Sequence, residues 1–335
     1  MTLSAGSGFP QGQPLGLRSV SAATRAAMAR AVSFIIDCQE PDGEFPSYMR
    51  TARHDPATGS FNGTPFFTSF VLYALAHTNA DEARPALERG LAFLERERTA
   101  DGLWRYTTAR NPWVLVPDLD DTCCAAFTLR LLAPDRLGAV NQAAILANRA
   151  ASGMFKTWVC GPDEVNNVDS VVNANVALYL GPGPHTDRAV GLINLIILGD
   201  AELASTYYYL DELSLYYMVS RAYFHGVIGF NQCREAMIRK TLARHGADGS
   251  FGDDLQTGLA LCTLCNLGLA QSPASGRAAQ YLLDHQRADG GWEDQVFYAG
   301  PEPPEARRYW WSSPAFSTAI CLEGIAKAAG QAPRL

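Results

Sequence analysis

Two kinds of helical segment alternate strictly along this chain, and the alternation constrains the fold more than any other feature of the sequence. Read at a period of 3.6, one set of amphipathic segments lies near 21–38, 82–97, 135–150, 186–199, 230–245 and 274–286, with Arg, Lys and Glu along one face, as in RPALERGLAFLERER. The second set lies near 64–76, 119–132, 167–180, 208–223, 254–269 and 313–329 and is almost free of charge beyond its first turn, as in FFTSFVLYALA. A helix that is apolar all round is buried, whereas one with a charged stripe faces water. The second set recurs about every 50 residues, and such a period marks a repeated architecture. Six buried helices alternating with six half-exposed ones predict a ring inside a ring, an all-α α6/α6 double-ring barrel over 21–330 as one domain, with a flexible segment at 1–20.

The turns carry a second recurring mark. QEPDGEF (39–45), RTADGLW (98–104), HGADGSF (245–251) and HQRADGGW (285–292) each follow a helical stretch with Asp-Gly and an aromatic residue. Phe45, Trp104, Phe251 and Trp292 are expected to act as clamps between an outer helix and the next turn.

Composition narrows the partners. Charged residues make up 18% and hydrophobic ones 47% of 335 residues, against ~25% charged in typical soluble domains, so disorder is excluded. The net charge of −7 and the pI of 5.4 come without any basic run, which argues against a nucleic-acid partner. No transmembrane segment is expected: the longest apolar candidate, near Val190 to Leu198, is shorter than the ~18 residues a span needs. Residues 1–20 lack the basic start and apolar core of a secretory signal. The cysteines at 38, 123, 124, 160, 233, 262, 265 and 321 sit mostly inside apolar helical stretches, so a disulfide framework is not expected, and the expected location is the cytoplasm, free or at a membrane surface.

Parallel inner helices would present all their N-termini at one end of the barrel, where unpaired N–H groups and a partial positive charge attract acids and anions. The sequences leading into them are NGTPFF (62–67), PDLDDTCC (117–124), NNVDSVVN (166–173), TYYYLDE (206–212), GDDLQT (252–257) and YWWSSPAF (309–316). In PDLDDTCC, Asp118 suits an N-cap and Asp121 the acidic half of a capping box. Capping leaves Asp120 unexplained, a third carboxylate within four positions at the start of a buried helix. Like charges this close do not all ionise, so one proton is expected to stay near neutral pH, beside donors that stabilise the base left when it departs. That combination makes a carboxyl group a strong general acid.

Asp118-Leu119-Asp120-Asp121-Thr122 resembles the D-x-D-D-T motif of class II terpene cyclases, the squalene-hopene cyclase superfamily, and the four Asp-Gly-aromatic segments look like that superfamily's QW-type repeats. The resemblance spans nearly the whole chain. It implies an α6/α6 barrel in which Asp120 protonates a terminal C=C bond or an epoxide of a linear isoprenoid, Asp118 and Asp121 hold and tune it, and a carbocation cascade closes rings. It also implies a polar residue on a neighbouring inner helix that hydrogen-bonds the donor; Asn166, Asn167, Asp169 and Asn173 are the candidates.

A cation in a dry cavity is stabilised by π faces, each by ~1–2 kcal/mol when desolvated. Phe66, Phe67, Trp158, Tyr207, Tyr208, Tyr209, Trp310, Trp311 and Phe316 stand near the starts of inner helices and are candidate wall residues, with a plain core role as the alternative for each. Asn166, Asp169 and Asn173 recur at a spacing of three to four residues and share a face, so they either line the cavity or bind each other. Asp253 and Asp254 imitate the acidic motif without its third acid and are expected to cap.

The chain departs from the family pattern in three ways. It accounts for one barrel, so a homodimer, a partner chain, its own loops or its N-terminal tail is expected to cover the cavity mouth. Cys123-Cys124 follow the motif's threonine in place of a small residue. No D-D-x-x-D or N-S-E segment is present, so ionisation of a diphosphate by a metal cluster is not expected. The expected substrate is a farnesyl-sized prenyl diphosphate or prenyl chain. Mg2+ would accompany a diphosphate, and Arg50, Arg53, Arg105, Arg110, Lys156, Arg307 and Arg308 are loop candidates to hold it.

Alternatives come from other classes. A protein-prenyltransferase β-subunit would need a zinc set that Asp121 and Cys123 only begin, and Cys262 and Cys265 form a lone C-x-x-C. An inverting glycosidase would use two separated carboxylates such as Asp120 and Asp254. A non-catalytic isoprenoid-binding protein would have no need of Asp120.

Overall fold

The computed structural model describes residues 20–161, 166–301 and 305–332. The segment expected to be flexible at 1–20 therefore lies, apart from Val20, outside the described residues. The α-helices are α1 (Ala22–Asp37), α2 (Pro65–Ala76), α3 (Arg84–Glu97), α4 (Leu119–Leu132), α5 (Gln142–Ala147), α6 (Ser170–Leu180), α7 (Asp187–Leu198), α8 (Glu212–Phe224), α9 (Arg234–Ala243), α10 (Asp254–Asn266), α11 (Pro273–His285) and α12 (Pro314–Ala328). The even-numbered helices pack in sequence order and α12 returns to α2, so they form a closed inner ring. α1, α3, α7, α9 and α11 pack on the outside of it. Among the described residues no helix is long and apolar enough to cross a membrane.

Each inner helix starts on a capping side chain that accepts from the first turn: Thr64, Asp118, Asp169, Asp211, Asp253 and Ser313. Each cap satisfies one or two of the orphan N–H groups at its helix end. Burial then stabilises the ring. All twelve residues of α2 are buried, and each fully buried Phe there contributes roughly 1.5–3 kcal/mol.

The Asp-Gly-aromatic segments join the rings by one repeated contact. The backbone N–H of the aromatic residue donates to a hydroxyl on the following inner helix: Phe45 to Thr68 at 3.0 Å, Trp104 to Thr122 at 3.0 Å, Phe251 to Thr257 at 3.0 Å and Trp292 to Thr318 at 3.3 Å. A fifth case was not legible in the sequence, Phe155 donating to the Asn173 side chain at 2.8 Å. The glycines are required because the turns lie directly on the next outer helix. Gly43 (φ +97°) and Gly290 (φ +92°) would place a Cβ 2.2 and 2.4 Å from the carbonyl oxygens of Arg89 and Arg30. The second contact links the last turn to α1 and closes the outer ring.

One expectation needs correction. The outer segment at 135–150 is helical only over α5, after a short 3-10 turn at Pro134–Arg136. Pro134, Gly138 at φ +60° and the cap residue Asn141 break the helical path, and the Arg98 side chain fills the space a Cβ at 138 would need. The helices are accompanied by a small antiparallel sheet of β1 (Tyr48–Arg50), β2 (Ser60–Phe61), β3 (Val296–Gly300) and β4 (Tyr309–Ser312), in the order β2-β1-β4-β3. Its central register pairs Met49 with Trp311 and Arg50 with Trp310, so segments about 260 residues apart in sequence meet beside the N-termini of α2 and α12.

Candidate active site

A cavity of about 200 Å3 opens at the end where the inner helices begin. Its floor is Asp118, Asp120 and Asp121, and its wall includes Phe66, Tyr106, Trp113, Leu115, Trp158, Tyr208, Tyr209, Tyr298 and Trp311. The start of α4 places the acids. Asp118 is the N-cap and accepts from the Asp121 N–H at 2.8 Å, with its second carboxylate oxygen buried and unpartnered. Asp121 accepts from Thr64 Oγ1 at 3.1 Å, which ties the α4 cap to the α2 cap. Asp120 accepts from Asn175 Nδ2 on α6 at 2.7 Å through Oδ1, and from the Tyr209 hydroxyl through Oδ2. Thr122 faces away from the cavity and holds the Trp104 backbone.

Burial raises all three acids above the usual carboxylate range. Asp118 is raised by desolvation and by the charge of Asp120, and Asp121 well raised by desolvation and by both neighbours. Asp120 is pushed up by burial only to about 6, because the hydrogen bonds from Tyr209 and Asn175 and the charge of Arg221 favour its ionised form. All three carboxyls are therefore raised toward their neutral form by burial, and Asp120 is the one whose ionised form is opposed least, because Tyr209, Asn175 and Arg221 favour it. A carboxyl that holds a proton in a dry site, with donors in place for its conjugate base, is equipped to protonate a weak base.

Of the candidate wall residues, Phe66, Trp158, Tyr208, Tyr209 and Trp311 line the cavity. Phe67 and Phe316 lie one layer behind, with rings 4.7 Å apart and Phe67 stacked on Tyr298 at 5.3 Å. Trp310 is adjacent to Trp311 on β4, and since strand side chains alternate between faces it points away from the cavity. The structure does not bring Asn166, Asp169 and Asn173 into the cavity. Buried polar groups bind what is nearest, and here that is backbone: Asn166 brackets the Trp158 peptide groups, and Asn173 brackets those of Phe155. Asp169 caps α6 and accepts from the Tyr207 N–H at 2.7 Å, tethering the segment that carries Tyr208 and Tyr209.

Arg307 donates to the Tyr207 carbonyl at 3.1 Å, and Arg308 pairs with Glu305 at 3.0 Å in a recess that shares Trp113 and Trp311 with the cavity. Asp254 lies outside the cavity lining, and Asp253 closes a capping box with Gln256 on α10. Among the described residues no group of three or more His, Cys, Asp or Glu side chains is arranged to hold a metal ion, so no step is assigned to Mg2+.

The sequence reading missed Asn175, Tyr106, Trp113, Tyr298 and Arg221. Asn175 lies two residues beyond Asn173, about 200° further round a helix, so it faces inward where Asn173 faces outward. Tyr106 and Trp311 both donate to Asn62 Oδ1, at 3.0 and 2.8 Å, which fixes one side of the wall.

Residues 16–116 match the family model of the A-macroglobulin TED domain. No curated protein sequence matches the chain. Among solved structures, a protein from Actinoplanes is 20% identical with a TM-score of 0.69, over 91% of this chain and 99% of that one. The type II terpene cyclase MstE from Scytonema, in complex with geranylgeranyl dihydroxybenzoate, is 17% identical with a TM-score of 0.70, over 92% and 97%. The fold is an α-α toroid. A glycosidase shares it at 14% identity and a TM-score of 0.53, over 92% and 97%. One toroid therefore carries different chemistries, and the reaction has to be argued from the site.

Proposed function

We propose that the chain is a class II terpene cyclase, which starts a carbocation cascade by protonating a linear isoprenoid. The observation that carries this reading is the Asp120 carboxyl on the floor of an aromatic cavity, beside two further carboxyls that burial shifts toward their neutral form and with two donors on its oxygens. Protonated Asp120 gives its proton to the terminal C=C bond, whose π pair forms the new C–H bond and leaves a tertiary cation on the adjoining carbon. The next double bond attacks that carbon, and its π pair becomes the ring bond while the charge moves along the chain. Loss of a proton or capture of water discharges the last cation, and Asp120 is reprotonated from solvent. Asn175 and Tyr209 hold the carboxylate between those events.

The faces of Phe66, Trp158, Tyr298 and Trp311 suit a travelling cation, each by ~1–2 kcal/mol when dry. A substrate that MstE binds in this fold is geranylgeranyl dihydroxybenzoate, which supports an isoprenoid here. The substrate is a prenyl chain or prenyl diphosphate of about farnesyl size, and a diphosphate, with its Mg2+, would lie at the rim near Arg307 and Arg308. The test is incubation with farnesyl diphosphate, geranylgeranyl diphosphate and geranylgeranyl dihydroxybenzoate, with and without Mg2+, followed by product mass analysis. A cyclised product is expected from at least one, and none from Asp120→Asn, whose Tm stays within a few degrees of wild type. Normal cyclisation by Asp120→Asn rejects the assigned acid, and no cyclised product from any of the three rejects the reading.

A further inference from the structure

Arg221 is 2% exposed, yet among the described residues no carboxylate forms an ion pair with it. Its Nη2 donates to Asn175 Oδ1 at 3.1 Å and approaches Cys124 Sγ at 3.8 Å, while its buried Nε has no partner. The guanidinium lies over the Phe70 ring at 4.2 Å, with Tyr73, Phe127 and Tyr217 between 5.5 and 5.8 Å. Four rings replace part of the lost hydration, and Glu323 acts on the charge from beyond ion-pair distance, but a buried cation with no carboxylate in contact still carries a large desolvation cost. A core position would be better filled by an apolar side chain, so the charge calls for a reason.

The geometry supplies one. Asp120 on α4, Asn175 on α6 and Arg221 on α8 form a line across three consecutive inner helices, with hydrogen bonds of 2.7 and 3.1 Å. An amide presents either an acceptor or two donors to a carboxyl group. Arg221 has no acceptor, so Asn175 must turn Oδ1 toward it and Nδ2 toward Asp120. We propose that Arg221 is a positioning residue for the general acid: it fixes the Asn175 amide as a donor to Asp120, and its charge stabilises the carboxylate that remains once the proton has left. Arg221 lies behind Asn175 and outside the cavity lining, so its charge acts on the acid rather than repelling a cation on the substrate.

Asp120 also faces Asp118, Asp121 and Cys124 on α4, Asp169 at the start of α6, Tyr209 before α8 and Tyr298 on β3. Every one of these is neutral or negative. Arg221 is the cation named among the main groups that act on Asp120, so a neutral side chain at 221 leaves only the Tyr209 and Asn175 hydrogen bonds to offset the acids.

The proposal rests on Asp120 being the acid, and its test is independent of turnover. The Asp120 carboxyl is titrated by difference infrared spectroscopy in wild-type protein, with Asp120→Asn used to identify the band, and then in Arg221→Met, Arg221→Gln and Arg221→Lys. In the two neutral variants its titration is expected to move up by about one pH unit or more, and with Lys by less than half of that. Arg221→Met is expected to keep or raise Tm, because it removes a buried cation and leaves apolar contacts. Arg221→Gln keeps a donor for Asn175 and serves where the Met variant does not fold. An unmoved Asp120 titration in a folded neutral variant overturns the proposal. If the titration moves as stated and wild-type protein cyclises no isoprenoid, the proposal stands and the cyclase reading falls.

Discussion

At the scale of residues, three buried carboxyl groups, Asp118, Asp120 and Asp121, stand together at the start of α4. Asp120 must be protonated to act, and its folded value is about 6, so turnover should fall as pH rises through about 6, read from initial rates across a buffer series. Tyr209 donates to the ionised form of Asp120. Tyr209→Phe removes that donor, so the descending limb should move to higher pH and the acid should weaken, with turnover down roughly tenfold to a hundredfold. An unmoved limb in a folded Tyr209→Phe protein would contradict the role given to this hydroxyl. The acids themselves were legible in the sequence, because three aspartates at the head of an apolar helix exceed what capping requires. Asn175 was not, since Asn173 and Asn175 look alike in sequence and only the packing of α6 decides which faces the axis.

At the scale of elements, the inner helices agree with the charge-free segments of the sequence to within a few residues, because a helix buried on every side carries its signature in its own composition. The contacts between elements left weaker marks. The Asp-Gly-aromatic turns could be seen, but not that their backbone N–H groups end on inner-helix hydroxyls. Thr68→Val should leave the buried Phe45 N–H unpaired and cost about 1–3 kcal/mol, measured by denaturant unfolding; a change near zero would show that the clamp contributes nothing. The four-stranded sheet had no signature of its own. Its strands are short, and β1 pairs with β4 from the opposite end of the chain, so each is defined only by its partner. The sheet also decides between Trp310 and Trp311, which sequence alone treats as equivalent.

At the scale of the full toroid, closure of both rings brings α1 and α2 against α11 and α12 and assembles the wall from segments that are far apart in sequence. It also puts carboxyl groups in a dry cavity, with a consequence for stability. Asp118 and Asp121 have folded values raised above the unfolded ones. Such groups contribute fully below the ordinary carboxylate range near about 4 and lose that contribution as pH rises through the raised values. Tm should therefore decline from about pH 5 to about pH 8, and Asp118→Asn, which keeps a good N-cap, should flatten the decline. A decline as steep as in wild type would show that the Asp118 carboxyl is not held neutral.

The proposed function requires Asp120 to deliver a proton to carbon. The isotopic content of the product formed from an isoprenoid substrate in D2O reads that step. One carbon-bound deuterium is expected at the position of the former terminal double bond, and no cyclised product from Asp120→Asn. A cyclised product without carbon-bound deuterium, or the same labelled product from Asp120→Asn at the wild-type rate, would contradict it.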